Sequence, residues 1–155
     1  MISPERLRLY PFFRSLNDAQ LSAIAMIAED ETLPAGVTLF QKGQLAEALY
    51  FLEDGRIDLY YTTADKSPSD IRKGISVGEI NPGEPFSISA LIEPYALSAT
   101  AYVSRPSRII KIKAKALQSL FDKDRNLAYY LTYQAAKAVI NRLHATRIQL
   151  AAAWA

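Results

Sequence analysis

The chain has 155 residues, half of them apolar and 22% charged, with a formal net charge of +2 and no cysteine. One domain with a real core fits that length and hydrophobicity; disorder, a strongly basic nucleic-acid surface, disulfides, thiolate metal sites and iron–sulfur clusters do not. No run of about 18 apolar residues occurs and the charged start MISPERLRLYPFFRS lacks an apolar leader core, so neither a membrane span nor a signal peptide is expected, and the expected location is the cytoplasm.

In residues 9–16, LYPFFRSL, Pro11 prevents a long regular helix, and Phe12 and Phe13 read as core plugs. Residues 17–30, NDAQLSAIAMIAED, read as a helix: Asn17 caps it, Gln20 completes a capping box, and Leu21, Ile24 and Ala28 form its apolar stripe. The acidic run Glu29–Asp30–Glu31 then reads as a solvated corner at the helix end. From Thr32 the period changes. Residues 37–43 alternate, and 48–62 read as two strands around a turn at Glu53–Asp54–Gly55. The polar segment 63–74 reads as a hairpin tip, 75–80 as a strand, and Asn81–Pro82–Gly83 as a turn. Two more strands, 99–103 and 108–113, are joined by a tip at Ser104–Ser107. The predicted class is mainly β with flanking helices: an antiparallel β-barrel or jelly roll of about eight strands.

From Ala114 the pattern is helical. Residues 114–121 predict a short helix, and 125–155, free of glycine and proline, predict a long one. Tyr129, Tyr133, Ala136, Ile140, Leu143, Leu150 and Trp154 recur at spacings that suit a coiled-coil face, interrupted only by Arg147. A second stripe, Leu127, Leu131, Ala135 and Ala138, suits packing on the chain's own barrel. The two faces predict a homodimer whose seam holds Tyr133, Ala136, Ile140, Leu143, Arg147, Leu150 and Trp154. A tail folded back on its own barrel and an interfacial membrane helix are the other readings of the same pattern.

The stretch 36-GVTLFQKGQLAEALYFLEDGRIDLYY-61 carries a family pattern. Gly36 and Gly43 flank a strand, Ala46 and Glu47 follow, Tyr50 and Phe51 mark an aromatic strand, and Gly55 closes it. In this order, with the entry segment Pro11–Phe12–Phe13, the chain resembles the cyclic nucleotide-binding domain of catabolite-activator-type regulators, kinase regulatory subunits and gated channels. The resemblance spans residues 7–121, with 125–155 as a dimerisation helix. It implies a regulatory, non-catalytic domain that acts through protein partners.

Family members that bind a cyclic nucleotide carry a Phe-Gly-Glu-x-Ala-Leu turn and then an Arg-x-Ala-Thr strand. The glutamate takes the ribose hydroxyl and the arginine pairs with the cyclic phosphate. Here Phe86, Ala90, Leu91, Ala99 and Thr100 match, whereas Ser87 stands for the glycine, Ile88 for the glutamate and Leu97 for the arginine. Losing a bidentate arginine from a buried phosphate costs about 3 kcal/mol or more, so cyclic nucleotide binding is expected to be weakened or lost. The remaining donors are the hydroxyls of Ser87, Ser89, Ser98 and Thr100 and the backbone N–H groups opening the Ile88–Leu91 turn. Tyr129 and Tyr133 on the long helix are candidates to stack on a ligand ring. The implied pocket therefore holds a weakly bound cyclic nucleotide, holds another small molecule, or is plugged by Ile88 and Leu97 in a ligand-free interaction scaffold.

Arg105 and Arg56, placed at turns, are expected to lie away from the pocket. His144 is the single histidine, so neither a metal site nor a catalytic triad is expected, and no glycine-rich phosphate loop occurs. No helix-turn-helix follows the long helix, and direct DNA binding is not expected.

Overall fold

Short side chains set the first helix boundaries. The Ser3 hydroxyl accepts the Arg6 N–H ahead of α1 (Pro4–Arg8), and a 3-10 turn at Pro11–Phe13 follows. Asn17 and Gln20 form both arms of a capping box, 2.8 and 3.1 Å, at the start of α2 (Asp18–Ile27). A computed structural model describes residues 1–62 and 74–155; the hairpin tip expected at 63–74 lies almost wholly outside the described residues.

The helix stops at Ile27, three residues earlier than its sequence suggests. Residues 28–33 form strand β1 (Ala28–Leu33), antiparallel to β6 (Thr100–Lys113), with Ala28 opposite Ile112 and Leu33 opposite Ser107. The acidic run is therefore a strand rather than a solvated helix corner. The backbone ladder to β6 and the burial of Ala28 and Leu33 at the strand's two ends hold it there. Its charges add exposed pairs: Asp30 with Arg6 at 2.7 Å, and Glu31 and Glu29 with the β6 lysines Lys111 and Lys113 at 4.0 and 3.9 Å. Cross-strand pairing and burial override a local helical preference.

The remaining strands are β2 (Thr38–Phe40), β3 (Ala48–Tyr61), β4 (Ile75–Ile80) and β5 (Pro85–Phe86). Among the described residues the sheet order is β1-β6-β3-β4, with β2 on β6 and β5 on β3, and all pairings are antiparallel. The turns expected at 53–55 and 104–107 are not chain reversals. Strands β3 and β6 each run 14 residues and pair along nearly their full length, bending together where the register shifts between Leu52 and Ile57. Among the described residues the expected count of about eight strands thus becomes six, in a sheet that curls without closing.

Gly55 permits the bend. Its φ is +109°, and a Cβ there would sit 2.6 Å from the Ser107 Cα. The Ser107 hydroxyl ties the two strands at that point, accepting the Arg56 N–H at 3.1 Å.

Two apolar clusters hold the molecule. One joins the helices to the sheet through Phe13, Leu21, Ile24, Phe51 and Leu117; the Phe13 and Phe51 rings lie 4.9 Å apart. The other, between the strands, contains Leu52, Ile57, Phe86, Val103 and Ile109. After α3 (Ala114–Lys123), Asp124 caps α4 (Arg125–Ala153) by accepting the Leu127 N–H at 3.0 Å, and its other oxygen accepts Gln20 Nε2 at 3.2 Å. The stripe Leu127, Leu131 and Ala135 is buried in the first cluster, with Ala138 at its edge. The opposite face of α4, from Tyr129 through Ile140 to Trp154, is exposed.

Candidate ligand cleft

The turn after β5 is built on a strained serine. Ser87 adopts a left-handed conformation, φ 61° and ψ 40°, where the family pattern has glycine. Its hydroxyl is buried and donates to the Ala48 carbonyl at 2.7 Å, which anchors the turn to β3 and offsets the strain. A 3-10 turn, Ile88–Leu91, follows.

Between this turn, the sheet and α4 lies a cleft of about 600 Å³. The sheet contributes Phe40, Leu59, Tyr61, Val77 and Phe86 to its walls. The turn contributes Ser87, Ile88 and Ser89; Leu97, Ser98 and Ala99 form another side, and Ile92 closes the rim. Helix α4 supplies Val139, Arg142, Leu143 and Thr146. Ile88 and Leu97, which the family resemblance sets at the two clamp positions, are 8% and 6% exposed and pack into the first core cluster while leaving the cleft unfilled.

Other expected pocket residues stand elsewhere. Ala90 and Leu91 border a separate cavity of about 180 Å³ with Leu117 and Phe121. Thr100 is buried outside the cleft wall, its hydroxyl accepting the Lys42 N–H at 3.0 Å. Tyr129 and Tyr133 are 64% and 54% exposed, their rings tilted against each other with centroids 6.3 Å apart, and do not line the cleft. They lie on the face of α4 opposite the buried stripe. Leu143, placed by its spacing on the outer seam, lines the cleft as well. Arg56 is paired with Asp58 and Glu79, and Arg105 donates to the Gly55 carbonyl at 3.3 Å; neither lines the cleft.

Arg142 was not among the residues the family pattern singles out. It lines the cleft and donates from Nη2 to the Pro85 carbonyl at 2.7 Å. Burial pulls its pKa down from the usual arginine range, opposed by the charge of Glu84. A sequence signal existed: the buried stripe Leu127, Leu131, Ala135, Ala138 continues at the same spacing to 142. Among the described residues, no group of histidines and carboxylates is arranged to hold a metal, and no helix is long and apolar enough to cross a membrane.

A curled antiparallel sheet, a short turn after β5 and a long helix over the resulting cleft define a regulatory domain of the cyclic nucleotide-binding type. The chain belongs to that family: the cyclic nucleotide-binding domain pattern matches residues 30–124. A candidate cyclic nucleotide-binding protein from Geobacter metallireducens GS-15 is 35% identical over 93% of this chain and 100% of its own, with a TM-score of 0.81. The fold is shared at lower identity by the sensor domain of the transcriptional regulator DNR from Pseudomonas aeruginosa (20%, TM-score 0.68, 90% of each chain). It is shared also by the regulatory domain of Toxoplasma gondii PKA, solved with cAMP (16%, TM-score 0.70, 86% of this chain and 48% of that one). No curated protein matches the chain significantly.

Proposed function

We propose that this domain is a non-catalytic sensor in which a ligand in the cleft sets how α4 docks on the sheet. The carrying observation is that α4 itself forms one wall of the cleft, through Val139, Arg142, Leu143 and Thr146. A ligand touching that wall favours one helix arrangement over another by its difference in affinity for the two. The outward face of the same helix, Tyr133, Ala136, Ile140, Leu150 and Trp154, with Arg147 and Leu143 beside it, then carries the change to a second copy of the chain and onward to a protein partner. The domain of residues 7–121 senses, and 125–155 transmits.

Ordinary cyclic nucleotide binding is weakened on this reading, because aliphatic side chains occupy both clamp positions. Ile88 and Leu97 face the cleft, so neither the ribose hydroxyl nor the cyclic phosphate meets a charged partner from the sheet. Calorimetric titration with cyclic AMP and cyclic GMP, up to millimolar nucleotide, tests this directly. No micromolar site is expected for the wild-type chain. Ile88→Glu combined with Leu97→Arg is expected to gain at least about tenfold in cyclic AMP affinity. Micromolar binding by the wild type would sink the weakened-clamp reading and leave the sensor reading intact. No ligand response of α4 with any small molecule would favour a ligand-free scaffold.

A further inference from the structure

The inner stripe of α4 ends in a cation. Arg142 enters the cleft, and one of its five N–H donors is used by the Pro85 carbonyl. Among the described residues no carboxylate stands within ion-pair distance of it. Glu84, which acts on Arg142 through its charge, accepts the Asn81 N–H at 2.9 Å.

The rest of the wall is poor in polar partners. Phe40, Leu59, Val77, Phe86, Leu97 and Val139 make it mostly apolar. Two of its hydroxyls are already committed as donors: Ser87 to the Ala48 carbonyl, and Thr146 to the carbonyl of Arg142 at 2.9 Å. Ser89, Ser98 and the Tyr61 phenol are left to supply donors. Among the described residues no acid lines the cleft to receive a sugar hydroxyl.

We propose, on the reading that this cleft is the ligand seat, that it takes an amphipathic monoanion, a monocarboxylate on an apolar body, whose head is held by Arg142 of α4. A guanidinium matches the planar fork of a carboxylate with two parallel hydrogen bonds. One cation in an apolar wall balances one negative charge. A second negative charge would be buried without a second cation among the described wall residues. The volume of about 600 Å³ is that of a small-molecule site. Because the anchor sits on the helix rather than on the sheet, charge recognition and helix docking become one event.

The test is a ¹H–¹⁵N NMR titration of the full chain with 4-phenylbutyrate and with its neutral analogue 4-phenylbutanol, repeated on Arg142→Met. The acid is expected to bind at least about tenfold more tightly than the alcohol, to shift the Arg142 Nε–Hε resonance, and to lose that advantage in Arg142→Met while the alcohol is unaffected. The Arg142 resonance is read on the wild-type chain, so the result stands even if the variant folds poorly. Equal binding of acid and alcohol with no Arg142 shift overturns the anion anchor and leaves the cleft as a seat for neutral ligands. Binding of neither compound, with no amide shifts at Ser89, Ser98 and Thr146, overturns the inference together with the ligand seat on which it rests.

Discussion

Ser87 shows how one residue reconciles a backbone demand with a side-chain opportunity. The turn requires a positive φ, which glycine adopts freely, yet the serine hydroxyl binds the Ala48 carbonyl. Ser87→Ala keeps the strain and strands a buried acceptor, so it is expected to cost about 1–2 kcal/mol in urea unfolding. Ser87→Gly loses the same hydrogen bond but relieves the strain, and is expected to stay within about 1 kcal/mol of wild type. Asp30 shows a charge effect. Its bidentate contact with Arg6, at 2.7 and 2.8 Å, holds its carboxyl below the ordinary aspartate value. Its stabilising contribution is therefore full above the unfolded value of about 3.9 and is lost as pH falls through the lower folded value. The pair is half-exposed, which limits the contribution to under about 1 kcal/mol. Thermal melts from pH 7 to pH 2 should show a smaller acid destabilisation for Asp30→Asn than for wild type.

Among the elements, the long strands β3 and β6 decide where the cleft opens. Their joint bend carries Leu59 and Tyr61 to the wall, while the earlier half of β3 packs Leu49 and Phe51 against the helices. Gly55→Ala should break this arrangement. It places a Cβ against the Ser107 backbone at a φ that alanine avoids, and is expected to destabilise by about 3 kcal/mol or more, measured by chemical denaturation. Helix α4 divides its labour by face. The buried stripe through Leu127, Leu131 and Ala135 fixes the helix to the core, and about two turns further on the same face turns polar at Arg142, over the cleft.

For the molecule as a whole, the outward face of α4 is the surface to test. Ile140, Leu150 and Trp154 are exposed together, with Trp154 at 85%. A hydrophobic seam of this length on an exposed helix suits a second copy of the chain. The double change Tyr133→Glu with Ile140→Glu is expected to convert a dimer into a monomer in sedimentation velocity. An unchanged dimer would place the interface elsewhere. Leu143 is unsuited to this experiment because it lines the cleft, and its change would disturb two surfaces at once.

Residue order alone carried the class of fold, the capped second helix and the long terminal helix with two apolar faces; that Ile88 and Leu97 stand for the two clamp side chains is what the family resemblance implies. These are local or ordered signals: a capping box, glycines at strand reversals, a four-and-three spacing, and residue types at matched positions. Three features came from three-dimensional packing instead: residues 28–33 are a strand, two apparent hairpins are single bent strands, and Arg142 enters the cleft. Each depends on a partner distant in sequence. Strand β6 pairs with the acidic run, Ser107 receives the bend at Gly55, and Pro85 receives the arginine of α4. The aliphatic pair Ile88 and Leu97 was legible as an absence of charge. That the space between them and α4 stays open depends on how far α4 stands from the sheet, which the packing of Leu131 and Ala135 against the core sets.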